Sequence, residues 1–139
     1  KNMSAAIIME AFKIIKTIAM KSETFEDKYL KYIDGIALDT AYPLVNFNGD
    51  LVQFYGSNPS GHPLTVIINS LVNSLYIRYC YRMLNPKKEV ITFKQNVNLM
   101  TYGDDNIMGI SDKISWFNHT SIADCLGMAN IVYTMPEKE

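Results

Sequence analysis

Val97-Asn98-Leu99-Met100-Thr101-Tyr102-Gly103-Asp104-Asp105-Asn106-Ile107-Met108-Gly109-Ile110 carries the most structural information in the chain. Two apolar, β-prone runs, 97–102 and 107–110, flank the polar segment Gly103–Asn106. That pattern predicts a hairpin with a four-residue turn. Two adjacent carboxylates, Asp104 and Asp105, then stand at the hairpin tip. A hard divalent cation takes oxygen ligands, and a rigid β-turn holds them with little loss of entropy. Gly103 lets the backbone bend closely. The plainer reading is a solvated Asp-Asp turn, and this stretch alone does not decide between the two.

A second pattern upstream decides it. Ser60-Gly61 closes the loop-forming stretch Gly56-Ser57-Asn58-Pro59-Ser60-Gly61, and Pro63 suits the first turn of a following helix. The spacing predicts that helix over about 64–84, stopping before Asn85-Pro86. Thr65 and Asn69 lie four apart and share one helical face, and Asn73 continues it. The rest of the helix is apolar at Val66, Ile67, Ile68, Leu71, Val72 and Leu75. Taken alone, Thr65 and Asn69 could simply face solvent or cap the loop. Joined to a Gly/Ser loop before them and an Asp-Asp hairpin about 35 residues later, they point to a shared site.

The flanking elements give an α+β layer order. Ile7, Ile8, Ala11, Phe12, Ile14, Ile15, Ile18 and Ala19 predict a helix over 3–20. A shorter helix is expected over 25–33, ended by Asp34-Gly35. Asn48-Gly49 between two β-prone runs predicts another hairpin, because both residues tolerate positive φ. A helix over 121–128, capped by Thr120 or Ser121, and a short strand over 131–134 complete the order.

The 139 residues suffice for one domain with one core, and 48% hydrophobic against 19% charged residues excludes disorder. The formal net charge of -1 is unlike that of a free-standing nucleic-acid-binding domain, whose affinity comes largely from phosphate neutralisation. Cys80 and Cys125 sit in apolar surroundings without metal-ligand spacing and read as buried free thiols. No apolar run approaches the roughly 18 residues of a membrane span. His62 reads as a loop residue and His119 as part of a helix cap. Trp116, Phe117 and the tyrosines read as core. Lys1 at one end and Pro136-Glu137-Lys138-Glu139 at the other read as cuts through a longer chain.

These motifs resemble the palm of picornavirus-like RNA-dependent RNA polymerases. Ser60-Gly61 with Thr65 and Asn69 resembles motif B, Tyr102-Gly103-Asp104-Asp105 resembles motif C, and Tyr133-Thr134-Met135-Pro136-Glu137-Lys138 resembles the end of motif D. Order and spacing also match, from end to end of the chain, and the flavour is that of marine, algae-infecting picorna-like viruses. The resemblance implies an α+β palm fragment: one partial domain over 1–139, with part of the fingers insertion, truncated at both ends. In it the hairpin carrying the Asp-Asp turn packs against helices. Lys1-Asn2-Met3-Ser4 resembles the residues that follow the second aspartate of motif A, so neither motif A aspartate is present. Asp34, Asp39 and Asp50 are not promoted in their place.

The implied activity is template-directed RNA synthesis, nucleotidyl transfer from an NTP to an RNA 3′-hydroxyl by two Mg²⁺ or Mn²⁺ ions. The catalytic candidates are Asp104, Asp105 and Lys138. Asp104 is the metal ligand, with the rest of the ligand set from the missing motif A, and Asp105 is a weaker or indirect one. Lys138 resembles the acid that protonates pyrophosphate; its alternative is a solvated surface lysine. The nucleotide-binding candidates are Ser60, Gly61, Thr65 and Asn69, with Asn69 reading the 2′-hydroxyl and Gly61 the hinge of its loop. Implied partners are RNA template and primer, NTPs, and the fingers, thumb and motif A of the same polyprotein-derived chain. Implied surroundings are the host cytoplasm, in membrane-associated replication complexes. The isolated fragment is expected to be inactive. Two other readings stand beside this one: a reverse transcriptase-like palm, or a non-enzymatic RNA- or metal-binding module.

Overall fold

In the computed structural model, which describes residues 3–57 and 60–134, the apolar stripe of the first segment becomes α1 (Ala5–Ala19), burying Ile8, Ala11 and Phe12. It packs against α2 (Lys28–Ala41), which buries Ala37, Thr40 and Ala41. Buried Thr40 is satisfied by donating its Oγ1 hydrogen to the Ile36 carbonyl at 2.7 Å. The expected end of this helix at Asp34-Gly35 is corrected: α2 runs on through Gly35. A glycine inside a helix costs only about 1 kcal/mol relative to alanine. Burying Ala37 and Ala41 and bonding Thr40 outweigh that. Asp34 meets Lys16 of α1 at 2.7 Å and 2.8 Å, a surface pair worth under about 1 kcal/mol.

Leu44–Phe47 (β1) and Asp50–Gln53 (β2) form an antiparallel hairpin with Phe47 opposite Asp50. The two turn residues have φ of 52° at Asn48 and 100° at Gly49, the positive pair of a type I′ turn. Both strands are exposed along their length. The chain then reaches Gly56, whose N–H bonds the Ala41 carbonyl at 2.7 Å. The φ of Gly56 is +82°, and a Cβ there would lie 1.9 Å from the Met3 carbonyl oxygen, so glycine is required on both counts.

The long helix α3 (Thr65–Leu84) starts one residue later than expected. It ends where Asn85, itself buried, accepts from the Lys87 N–H and donates to the Glu89 carbonyl. Two compact units result, Lys1–Val72 and Asn73–Glu139. Ile68 and Val72 of α3 are buried with the first; Ile77, Cys80 and Tyr81 belong to the core of the second.

That second core joins α3 to α4 (Phe93–Asn96), the hairpin β3 (Val97–Tyr102) and β4 (Asp105–Ile110), and α5 (His119–Met128). Short α4 was not expected from the sequence. Tyr81 is its centre, with ring centroids 5.1 Å from Phe93, 5.2 Å from Phe117 and 5.0 Å from Trp116. Cys80 and Cys125 are free and buried, and burial, with Cys125 alongside, pushes the Cys80 thiol far up. The reading of the tyrosines as core holds for Tyr81 but not for Tyr32, Tyr55 or Tyr102, which are exposed.

Two expectations near the end of the chain are corrected. The cap of α5 is Asn118, whose side chain accepts from the Ser121 N–H while the Ser121 hydroxyl accepts from the Asn118 N–H. His119 is therefore the first helical residue. Residues 131–134 form no strand. After α5 the Ile131 N–H bonds the Leu126 carbonyl, the Asn130 N–H bonds the Gly127 carbonyl, and Asn130 has φ +58°. This Schellman closure turns the chain back, so that Ile131 and Tyr133 pack on the core. No helix among the described residues is long and apolar enough to cross a membrane.

Candidate functional site

The β3–β4 hairpin is tighter than the sequence suggested. Tyr102 pairs with Asp105 and Thr101 with Asn106, so the turn has two residues, Gly103 and Asp104, instead of four. The φ of Gly103 is +57°, while Asp104 is not in the positive region. Positive φ at the first central residue alone is the type II′ pattern, which places glycine first. Asp104 thus stands at the turn itself, and Asp105 is the first residue of a strand. Both are exposed.

Strand alternation then sorts the side chains. Leu99 and its partner Met108 face inward and pack against the core of the second unit. Two residues earlier than Met108, Asn106 occupies the same inward row and is half-buried. A polar amide at the end of an apolar row needs partners. It finds them in Asn73 and Tyr133. The Asn106 Nδ2 donates to Asn73 Oδ1 at 3.0 Å, and the Tyr133 hydroxyl donates to Asn106 Oδ1 at 2.9 Å. Asn73 Nδ2 in turn donates to the Gly103 carbonyl at 3.3 Å and to the Asp105 carbonyl at 3.1 Å. One side-chain amide from α3 therefore grips the backbone on both sides of Asp104. Burial pushes the Tyr133 hydroxyl above the usual tyrosine range.

The sequence placed Asn73 on the Thr65–Asn69 face but gave it no role. Its signal was the repeat of a polar residue every four positions. Asn106, read as a turn residue, and Tyr133, read as part of the motif D-like stretch, were not linked to it, because nothing in a linear pattern joins residues 33 and 27 positions apart.

The motif B candidates lie in the first unit. Gly61 has φ +85° with nothing within 4 Å of a built Cβ, so its glycine is called for by backbone conformation alone. Ser60 is exposed beside it. His62 does more than fill the loop. Its Nδ1 accepts from the Leu64 N–H at 3.2 Å and its carbonyl accepts from the Thr65 N–H at 2.9 Å, ordering the entry to α3. Thr65 and Asn69 sit one helical turn apart, both half-buried. Lys138 lies outside the described residues. His119, expected at the cap, instead lays its ring on Tyr133, with centroids 5.1 Å apart.

Among the described residues no group of three or more His, Cys, Asp or Glu side chains is arranged to hold a metal ion. Asp104 and Asp105 fit a hard divalent cation as part of a ligand set. They are exposed oxygen donors on a backbone fixed from behind, and Mg²⁺ is commonly held by one or two carboxylates with its other positions filled from elsewhere.

The family model for viral RNA-dependent RNA polymerase matches residues 2–139. The RNA1 polyprotein of Grapevine chrome mosaic virus is 38% identical over 118 residues, 82% of this chain and 5% of that polyprotein. The replicase polyprotein of Cricket paralysis virus is 33% identical over 106 residues, 72% of this chain and 6% of its own length. The RNA1 polyprotein of Tomato ringspot virus is 47% identical over 77 residues, 55% of this chain and 4% of its own length. The chain thus spans about a twentieth of the relatives it matches. The narrower likeness to algae-infecting viruses finds no support in these matches.

Proposed function

The chain belongs to the viral RNA-dependent RNA polymerase family, as a picornavirus-like segment, and from that we propose that it supplies the palm of a replicase that copies RNA from an RNA template. The observation that carries this reading is the grip of Asn73 on the carbonyls of Gly103 and Asp105. It fixes the backbone that carries two exposed carboxylates, Asp104 on the two-residue turn and Asp105 at the start of β4. Phosphoryl transfer asks mainly for positioned charge, with little covalent chemistry from the protein.

In this reading Asp104 and Asp105 hold Mg²⁺ or Mn²⁺ together with an aspartate of motif A. When bound, a pair of such ions activates the primer 3′-hydroxyl and neutralises the departing pyrophosphate. Asp104, on the turn, is the principal ligand. Asp105 begins β4 and its side chain leaves the backbone on the face opposite Asn106, which suits a weaker or indirect contact. Asn69, with Thr65 and Ser60 in support, reads the ribose 2′-hydroxyl, and Gly61 is the pivot of the loop before them. Lys138 protonates the leaving pyrophosphate. The substrates are NTPs with an RNA template and primer. The fingers, thumb and motif A come from the rest of a polyprotein-derived chain, and both compact units belong to one partial domain of it. The place of action is the host cytoplasm, in membrane-associated replication complexes. A reverse transcriptase-like palm or a non-catalytic binding module accounts less well for the pinned Asp-Asp turn and the Ser60–Asn69 pattern together.

The test is Asp104→Asn in the intact polymerase. Template-dependent NTP incorporation should fall to background while RNA binding persists, because a metal-ligating charge supplies several kcal/mol at the transition state. Elongation at the wild-type rate would refute the assignment.

A further inference from the structure

The polar chain behind the Asp-Asp turn starts a long way off in sequence. Tyr133 donates to Asn106, Asn106 donates to Asn73, and Asn73 donates to the two carbonyls that flank Asp104. Each amide uses both ends, its oxygen accepting and its nitrogen donating, so the links share one direction. Such a chain polarises along its length, and its members act together more than as separate pairs. Its far end is also held. The Schellman closure at Asn130 aims residues 131–134 back at the core, and the His119 ring lies 5.1 Å from that of Tyr133 at an interplanar angle of 31°. His119 Nε2 is buried with no hydrogen-bond partner among the described residues, so His119 serves Tyr133 by ring contact.

We propose that Tyr133 and Asn106 are positioning residues that set the Asp104–Asp105 turn through Asn73. The inference rests on the polymerase reading above. Neither residue reaches the exposed carboxylates, so neither is catalytic. Their effect is on where those carboxylates stand, and through that on how well the turn receives a divalent cation. The core itself does not need the Tyr133 hydroxyl: the ring and its contacts with the core and His119 remain when only that oxygen is removed.

The experiment measures single-nucleotide incorporation by the intact polymerase at saturating NTP, as a function of Mg²⁺ concentration. The variants are Tyr133→Phe, Asn106→Ser and the double substitution, and thermal unfolding is followed in parallel. Asn106→Ser is too short to join Tyr133 to Asn73. Each single variant should raise the Mg²⁺ concentration at half-maximal rate roughly 2- to 12-fold, the equivalent of one net hydrogen bond. The double variant should be no worse than the weaker single one, since one chain is cut in either case. A wild-type Mg²⁺ dependence in Tyr133→Phe overturns the inference, whether or not the melting temperature falls. So does a double variant whose Mg²⁺ shift is the product of the two single shifts. If either variant does not fold, the other decides on the same readout. Failure of the underlying reading looks different: a wild-type intact chain without template-directed incorporation would remove the polymerase function itself.

Discussion

Replacing Asn73 with alanine removes three hydrogen bonds at one stroke. Two are donated to the carbonyls of Gly103 and Asp105, and one is accepted from Asn106. A net hydrogen bond is worth about 0.5–1.5 kcal/mol, so the three bracket about 1.5–4.5 kcal/mol. The bond to the Asp105 carbonyl is exposed and water can replace it, which puts the sum near 2–3 kcal/mol. Alanine is the better helix former at a position inside α3, returning roughly 0.5 kcal/mol. The expected net loss is about 2 kcal/mol, confined to the hairpin tip because the Leu99–Met108 packing is untouched. Hydrogen exchange on the intact polymerase reads this directly. Amides over residues 101–106 should exchange roughly 30-fold faster, which is 2 kcal/mol in opening free energy, while those of α5 keep their protection. Unchanged exchange at the tip would show that the Asn73 amide does not hold the turn, and the argument from positioned carboxylates would fail with it.

Three further outcomes are expected. Asn69→Ala in the intact enzyme should narrow the preference for NTP over dNTP roughly 5- to 150-fold, or about 1–3 kcal/mol, with a smaller effect on NTP addition, measured with CTP and dCTP on one template; equal losses would make Asn69 a fold residue only. Gly56→Ala should destabilise by about 3 kcal/mol, from positive φ and a Cβ placed 1.9 Å from the Met3 carbonyl oxygen, and a melting temperature equal to wild type would refute the fit. Gly35→Ala should stabilise by about 0.5–1 kcal/mol, since Gly35 lies inside α2 with nothing within 4 Å of its added methyl; a lower unfolding midpoint would contradict the helix assignment.

What the sequence made legible follows the range of the forces involved. The hairpin at Asn48-Gly49 and the extent of α3 are local matters, written in turn chemistry and in 3.6-residue periodicity, and both appear within a residue or so of expectation. α2 overran its expected end because Ala37, Thr40 and Ala41, all beyond Gly35, are buried, and burial by distant parts of the chain is something no local rule at Gly35 can register. The cap of α5 was misread for a related reason. Ser121 is a good capping residue, and it does cap, but from inside the helix as the reciprocal partner of Asn118. Residues 131–134 have β-prone composition, yet Asn130 in the left-handed region redirects them before any strand can pair with them.

The site divides the same way. Asp104 and Asp105 were readable because their chemistry is carried by adjacent residues, whereas the apparatus that fixes them is assembled across the second unit. One residue shows how close the sequence came. Asn106 stands two positions before Met108, so in a strand whose alternate side chains enter a core it had to be an inward amide. An inward amide with no partner would cost about 1–3 kcal/mol, which predicts that partners exist without saying where they are. Only the fold shows them to be Asn73 and Tyr133. It also shows that one of the two side chains that satisfy this half-buried amide, Asn73, holds the backbone on either side of Asp104. The demand for hydrogen-bond satisfaction and the demand for a fixed carboxylate are therefore met by one set of contacts. A substitution at Asn106 cannot relieve the first without loosening the second.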